Sequence, residues 1–210
     1  MNFFKKILFI VNKPDIILIS GDKNSLTSLI IYKLLKQKFK DIRVIKSGFP
    51  YVFNRRSIFI FPIDFNKFFK YKFILEKSYN LIIINNISFS EENDKQLFVK
   101  FLKNLKSAIF KHYIIINIDN DILDELSRRL KNNLNILTYS LKKEADFQIS
   151  DLNIDNKKLN FKIINEGDIV PLWININFKN KIDIIIASII VAKLKGMNLV
   201  EISQILKDVL

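Results

Sequence analysis

Hydrophobic positions fall into two alternating patterns along the chain. Short unbroken apolar runs, four to five residues long, recur between longer segments with helical spacing. Ile16–Ile19 is such a run and reads as a buried strand, ended by Ser20-Gly21. Asn24–Phe39 follows with Leu26, Leu29, Ile30 and Leu34 at helical spacing. Ile42–Ile45 predicts a second strand and Ser57–Phe61 a third. Leu81–Ile84 predicts a fourth, Tyr113–Ile116 a fifth and Ile136–Tyr139 a sixth. Helices are predicted over Glu91–Phe110, with Leu97, Phe101, Leu105 and Ile109 on one face, and over Ile122–Leu130. Apolar strands alternating with helices indicate an α/β fold: a mainly parallel sheet, covered by helices on both faces.

The pattern changes after residue 144. Phe147–Ser150, Leu159–Ile164 and Ile169–Ile176 are strand-like, separated by the turn-rich pieces Asn153–Asn156 and Asn165–Asp168. No helix-length segment separates them, so they predict a small antiparallel β subregion within residues 145–178. Trp173 on the last of them reads as core. Ile184–Leu194 is apolar nearly all round and must be buried, with Gly196 as its C-cap. Leu199–Val209 is amphipathic, through Leu199, Ile202, Ile205, Leu206 and Val209. No repeat or long linker divides the chain, so residues 1–210 read as one domain.

Composition narrows the chemistry. There is no cysteine and one histidine, His112, which excludes a disulfide scaffold, a thiolate nucleophile and a multi-histidine metal centre. His112, beside a buried strand, reads as structural. The net charge is +13, yet 29 of the 34 basic residues are Lys and only 5 are Arg. Ile (39) and Asn (23) are abundant while Ala (4) is scarce, a combination that an A+T-rich coding bias produces. The basic balance therefore argues weakly for a nucleic-acid partner, because bidentate base and phosphate contacts favour Arg. The run Phe65–Phe73 interleaves aromatics with Lys67, Lys70 and Lys72. It can stack bases, or form a helix with buried rings and snorkelling lysines; the helix is preferred. Ile7–Val11 is too short for a signal-peptide core, and Ile184–Ala192 is too short to span a bilayer. A cytoplasmic location is the expectation.

The most informative segment is Ile16–Ser28, where a buried strand turns directly into a helix. Helix N-terminal amides can hold a phosphate at such a turn. A full phosphate loop also needs more glycine than Gly21, a lysine and a metal-binding hydroxyl. The same residues also suit an ordinary strand–helix turn capped by Asn24 or Ser25.

The order of several motifs goes further. The chain resembles the central, ATP-binding domain of the Mur ligases, relatives of folylpolyglutamate and cyanophycin synthetases. Ser20-Gly21-Asp22-Lys23-Asn24-Ser25-Leu26-Thr27 is similar to the family loop T-G-T-x-G-K-T-T. Asn85-Asn86-Ile87-Ser88-Phe89-Ser90-Glu91 is similar to T-N-I-S-x-D-H. Lys106 falls near the family's carbamylated lysine. Asn117-Ile118-Asp119-Asn120 is similar to the adenine-side N-x-D-D. Asn180-Lys181 and the buried helix ending at Gly196 fall where the family has G-x-H-N and its Ala-rich helix, but the Gly and His of that motif are absent here. The resemblance implies ATP and Mg as cofactors. Gly21, Asp22, Lys23, Asn24, Ser25, Thr27, Asn117 and Asp119 would bind nucleotide. Glu76, Ser88 and Lys106 are the weak metal candidates.

The departures are chemical. Ser25 stands for the loop lysine, Leu26 for the metal-binding threonine, Ser90-Glu91 for D-H, and Asn120 for the second acid. Phosphoryl transfer depends on those charges. The resemblance therefore implies a degenerate domain in peptidoglycan precursor synthesis, catalytically impaired and with weak ATP binding. The family's N- and C-terminal domains, which hold the UDP-sugar and the incoming amino acid, have no counterpart in these 210 residues. One alternative is an active ATP-dependent ligase component completed by a partner chain that supplies those domains. The other is a basic RNA- or anion-binding protein.

Overall fold

The computed structural model describes residues 3–21, 24–46, 50, 52, 57–63, 79–85, 96, 99, 112–132 and 134–209. Helix α1 (Phe3–Asn12) leads into β1 (Asp15–Gly21), α2 (Asn24–Lys36), β2 (Ile42–Val44), β3 (Ile58–Ile63) and β4 (Tyr79–Asn85). Then come β5 (His112–Asn117), α3 (Asp121–Leu130), β6 (Asn135–Ser140), β7 (Phe147–Asp155), β8 (Lys158–Asn165) and β9 (Asp168–Asn175). A 3-10 stretch (Ile176–Lys181) leads to α4 (Ile182–Leu194) and α5 (Leu199–Val209). Gln96 and Val99 are helical, while the rest of the helix expected over Glu91–Phe110 lies outside the described residues.

The nine strands among the described residues form one sheet in the order β2-β3-β1-β4-β5-β6-β7-β8-β9. Pairing is parallel from β2 to β7 and antiparallel from β7 to β9. Side chains alternate across a strand, so each apolar run supplies both faces. Ile17, Ile19, Leu81, Ile83 and Ile115 face a core built with α2, α4 and α5. Ile16, Leu18, Ile82, Ile84, Ile114 and Ile116 face a second core with Phe9 of α1 and Leu123, Leu126 and Leu130 of α3. This two-sided burial explains why the strands are not polar on alternate positions.

Several details depart from the sequence expectation. Helix α1 (Phe3–Asn12) forms where the sequence pattern predicts no element. In α2 the helix ends at Lys36 rather than Phe39, and Leu29 is exposed although it shares the apolar spacing. The piece Asn153–Asp155 is strand, not turn. β7 continues through a bulge between Ser150 and Asn153, and the hairpin turns at Asn156-Lys157, where both residues have positive φ. Trp173 is half-exposed on the outer face of β9, not core, because its neighbours Leu172 and Ile174 take the inward positions. β6 and β7 are parallel despite a six-residue link, Leu141–Asp146. No crossover is needed, because β7 starts beside the end of β6, pairing Tyr139 with Phe147 and Ser140 with Gln148.

Helix α4 is buried along its length, from Ile182 through Ala192. It ends as predicted at Gly196, whose φ is +82°. The Gly196 N–H donates to Lys193 O (2.8 Å) and the Met197 N–H to Ala192 O (3.1 Å), a Schellman closure. Two lysines pin this end. Lys195 Nζ lies 2.6 Å from Asp15 Oδ2 at the start of β1, and Lys38 Nζ donates to Gly196 O at 2.6 Å. Burial pulls the Lys195 ammonium below the usual lysine range, and Asp15 opposes that shift. These contacts place the C-terminus of α4 beside the start of β1 and the end of α2. Helices α2 and α4 therefore run in the same direction, with their N-termini at the carboxyl edge of the sheet.

A Cβ at position 196 would meet nothing within 4 Å, so Gly196→Ala costs conformation only. A loss of about 1 kcal/mol is expected in urea unfolding, with the native fold retained.

Candidate functional site

The candidate site lies where the chain changes direction across the sheet. From β1 the chain leaves toward β2 and β3, and from β4 it leaves toward β5 and β6. The strand order thus reverses between β1 and β4, and their carboxyl ends mark a topological switch point. Open α/β sheets bind ligands at such a switch point. Gly21 and Asn85 are the register partners that form its floor.

The floor is tight. Gly21 has φ of +107°, and a Cβ there would sit 1.5 Å from the Asn85 carbonyl oxygen. The glycine is thus demanded by its own protein neighbour, with or without a ligand. Continuing the register of β4 and β5 by one step beyond Ile84–Ile116 puts Asn117 beside Asn85, and Asn117 pairs with Tyr139 of β6. Gly21, Asn85, Asn117 and Tyr139 therefore form one row across the carboxyl edge. Gly21 and Asn117 are two strands apart, about 9–10 Å.

Polar side chains tie this row together. Tyr139 Oη donates to Asn85 Oδ1 at 2.5 Å, reaching across β5. Asn85 Nδ2 in turn faces Thr27 Oγ1 of α2 at 3.5 Å. All three side chains are fully buried. Burial, with lesser effects from Asp183 and Asp119, pushes the Tyr139 hydroxyl well above its ordinary pKa, so it stays a donor. α4 ends beside the start of β1, so its first turn, with Asp183, lies toward the carboxyl edge. Helix α2 opens directly from the end of β1, and its N-terminal dipole favours an anion there.

The predicted residues separate into three groups. Gly21, Asn24, Ser25 and Thr27 lie on the β1–α2 turn and the first turn of α2. Asn24 Nδ2 donates to Ile63 O at the end of β3 (3.0 Å), and its Oδ1 accepts from Ser25 Oγ (3.3 Å). Ser25 is exposed and Leu26 packs partly against the core. Asn117 and Asp119 lie at the far end of the row. Asn117 Oδ1 accepts from the Asp119 N–H (2.9 Å), an Asx turn. Both Asp119 carboxylate oxygens are engaged by the β6–β7 link, from Ser140 Oγ (2.6 Å) and the Leu141 N–H (2.8 Å). Asp119 therefore holds that link in place. Asp22, Lys23, Glu76, Ser88 and Lys106 lie outside the described residues, as do Lys67, Lys70 and Lys72.

Asn120 caps α3, its Oδ1 accepting from the Leu123 N–H at 3.2 Å. Its side chain thus serves as a local helix cap. Nearby, Arg128 and Lys143 hydrogen-bond Asp124 and hold its carboxyl down at about 2. His112 is buried in a polar pair with Asn80, 3.0 Å apart, and burial lowers its pKa; it is structural. Among the described residues no three His, Asp or Glu side chains gather as a metal site. The turn from β1 into α2 presents helix N-terminal amides, the kind of group that holds a phosphate. Leu26 in the first turn of α2 has no oxygen to offer Mg. Two open cavities, of about 580 and 560 Å³, lie elsewhere: beside Trp173 on the outer face of β7–β9, and around Lys193 near the amino end of β5.

Reading the residues singly missed Asn85 and Tyr139 as site members. A buried asparagine ending an apolar strand was the available signal for the first; the reach of Tyr139 over β5 had none.

No family model and no curated protein matches the sequence. Solved structures do match the fold. A UDP-N-acetylmuramoyl-L-alanyl-D-glutamate–2,6-diaminopimelate ligase aligns with TM-score 0.70 and 16% identity, over 98% of this chain and 49% of that one. The UDP-N-acetylmuramoylalanyl-D-glutamyl-2,6-diaminopimelate–D-alanyl-D-alanyl ligase of Acinetobacter baumannii aligns with TM-score 0.73 and 11% identity, over 96% and 47%. The MurF ligase of Thermotoga maritima, solved in complex with ADP, aligns with TM-score 0.68 and 12% identity, over 95% and 50%. The mainly parallel sheet with its small antiparallel part is thus the fold of a Mur ligase central domain, and this chain spans about half the length of those ligases. Among the described residues no helix is long and apolar enough to cross a membrane.

Two substitutions test the geometry of the row. Gly21→Ala is expected to cost about 3 kcal/mol or more in denaturant unfolding, from positive φ and the clash with Asn85. Tyr139→Phe leaves the buried Asn85 Oδ1 without its donor and should cost about 1–3 kcal/mol, with unchanged secondary structure by circular dichroism.

Proposed function

We propose that this chain is a Mur ligase-like central domain that keeps a weak adenine-nucleotide crevice and has lost the charges for fast phosphoryl transfer. The observation that carries the reading is the switch-point crevice itself. Gly21 and Asn85 pair at that point, α2 starts three residues after Gly21, and Asn117 ends β5 in the same row. The ADP complex of the Thermotoga maritima ligase supports nucleotide as the ligand class. The side chains argue for impairment. Ser25 carries no charge to neutralise a phosphate, Leu26 cannot ligate Mg, and Asp119 is committed to the β6–β7 link. Each missing charge in a site of this kind typically costs orders of magnitude in rate.

The role that follows is non-catalytic or partner-dependent, in peptidoglycan precursor synthesis, in a cytoplasmic setting. A second reading is an active ATP-dependent ligase component; these residues match about half the length of the ligases. An active ligase would then need its sugar- and amino-acid-holding domains from elsewhere.

Calorimetry with ATP tests the first reading. Binding is expected at a Kd of about 0.1–1 mM, changing less than about threefold when Mg is omitted. The double variant Ser25→Lys, Leu26→Thr should tighten binding about tenfold and make it Mg-dependent. ADP-forming ligation by this chain alone would overturn the impairment. Absence of any ATP binding in the double variant would remove the crevice assignment.

A further inference from the structure

Helix α1 turns an apolar stripe away from the protein. Phe3, Phe4, Ile7, Ile10 and Val11 are 76, 58, 41, 44 and 55% exposed. At about 100° per residue these five positions fall within an arc of about 120°, one continuous face. The opposite face does the holding. Phe9 is buried in the second core beside Val52, Phe59 and Phe61, and Asn12 Nδ2 donates to Val52 O at 2.6 Å. The exposed stripe is therefore presented by a docked helix and is not a frayed end. Single exposed apolar residues are ordinary, but five in a contiguous stripe are not.

Charge decides between the surfaces that could cover it. Residues 1–14 contain Lys5, Lys6 and Lys13 and no acidic residue, and the whole chain carries +13. A second copy would set one +13 body against another, which opposes self-association. An anionic surface turns the same charge into attraction. The stripe itself has no hydrogen-bonding side chain to set the register of a protein partner. Lys6 borders this face, and an apolar face of Phe and Ile with basic charge at its margin is the pattern of a helix lying in a bilayer interface. Ten residues span about 15 Å, half the hydrocarbon thickness, so the helix can lie in the surface but not cross it.

We infer that α1 docks this protein onto an anionic lipid bilayer, with Phe3, Phe4, Ile7, Ile10 and Val11 entering the interface. The inference is independent of the nucleotide crevice, which lies at the carboxyl edge of the sheet.

Co-sedimentation of the full chain with vesicles tests it. Phosphatidylcholine vesicles containing phosphatidylglycerol should bind at least about tenfold more tightly than phosphatidylcholine alone, and raised salt should weaken the difference. Phe4→Ser with Ile7→Ser should cut anionic-vesicle binding about tenfold while leaving the thermal midpoint nearly unchanged. Ile10→Ser with Val11→Ser, one turn on, should act alike and guards against a folding defect in the first pair. Undiminished binding by both variants, or no binding to the anionic vesicles, overturns the inference. Light scattering that shows a dimer abolished by either variant would also overturn it, assigning the stripe to a second copy.

Discussion

The structure turns on how closely β1 and β4 approach at their carboxyl ends. The Asn85 carbonyl occupies the space that any side chain at position 21 would need. That approach lets the chain leave β1 on one side and β4 on the other with almost no gap between them. It also sets the height of the row that continues through Asn117 to Tyr139. A slip of one residue in either strand would turn the apolar faces of the sheet around. The crevice is thus a by-product of packing a fully apolar parallel sheet, and the positive φ of Gly21 is part of the backbone needed for it.

The same packing explains how this edge can outlast the chemistry expected of it. Helix N-termini attract anions wherever helices must start, and α2 and α4 start here because their apolar faces cover the sheet. Side-chain charges carry no such packing obligation. Where the resemblance implies a lysine, a threonine and a second acid, the chain has Ser25, Leu26 and Asn120. Leu26 now contributes to the core margin and Asn120 caps α3. Asp119 retains the expected residue type but is held by Ser140 and Leu141. The backbone features of this edge are required by the packing of the fold, while its side chains serve local caps and links.

Legibility followed the strength of the hydrophobic pattern. Ile16–Ile19, Leu81–Ile84 and Tyr113–Ile116 are unbroken apolar runs, and each is a central strand of the sheet. The buried helix before Gly196 was equally clear, because a helix apolar all round has nowhere else to go. The pattern misled where one face of an element lacks a covering partner. Trp173 and Leu29 sit at apolar-looking positions yet face outward, and α1 hides behind a run that looks like a short strand or leader. At the site, motif order placed Gly21 and Asn117 on strand ends. It did not reveal that Asp119 would be taken by the β6–β7 link, since that contact joins residues twenty-one positions apart.

The sequence by itself determined the alternation of strands and helices, the antiparallel close of the sheet, and the residue types available at the β1–α2 turn. These are local properties, written in periodicity, turn residues and residue type. Only the tertiary structure decided which strand ends share an edge, that Tyr139 reaches over β5 to Asn85, and that α1 turns its apolar stripe outward. Those outcomes depend on contacts between segments far apart in the chain, chosen by how whole faces pack and not by any window of neighbouring residues.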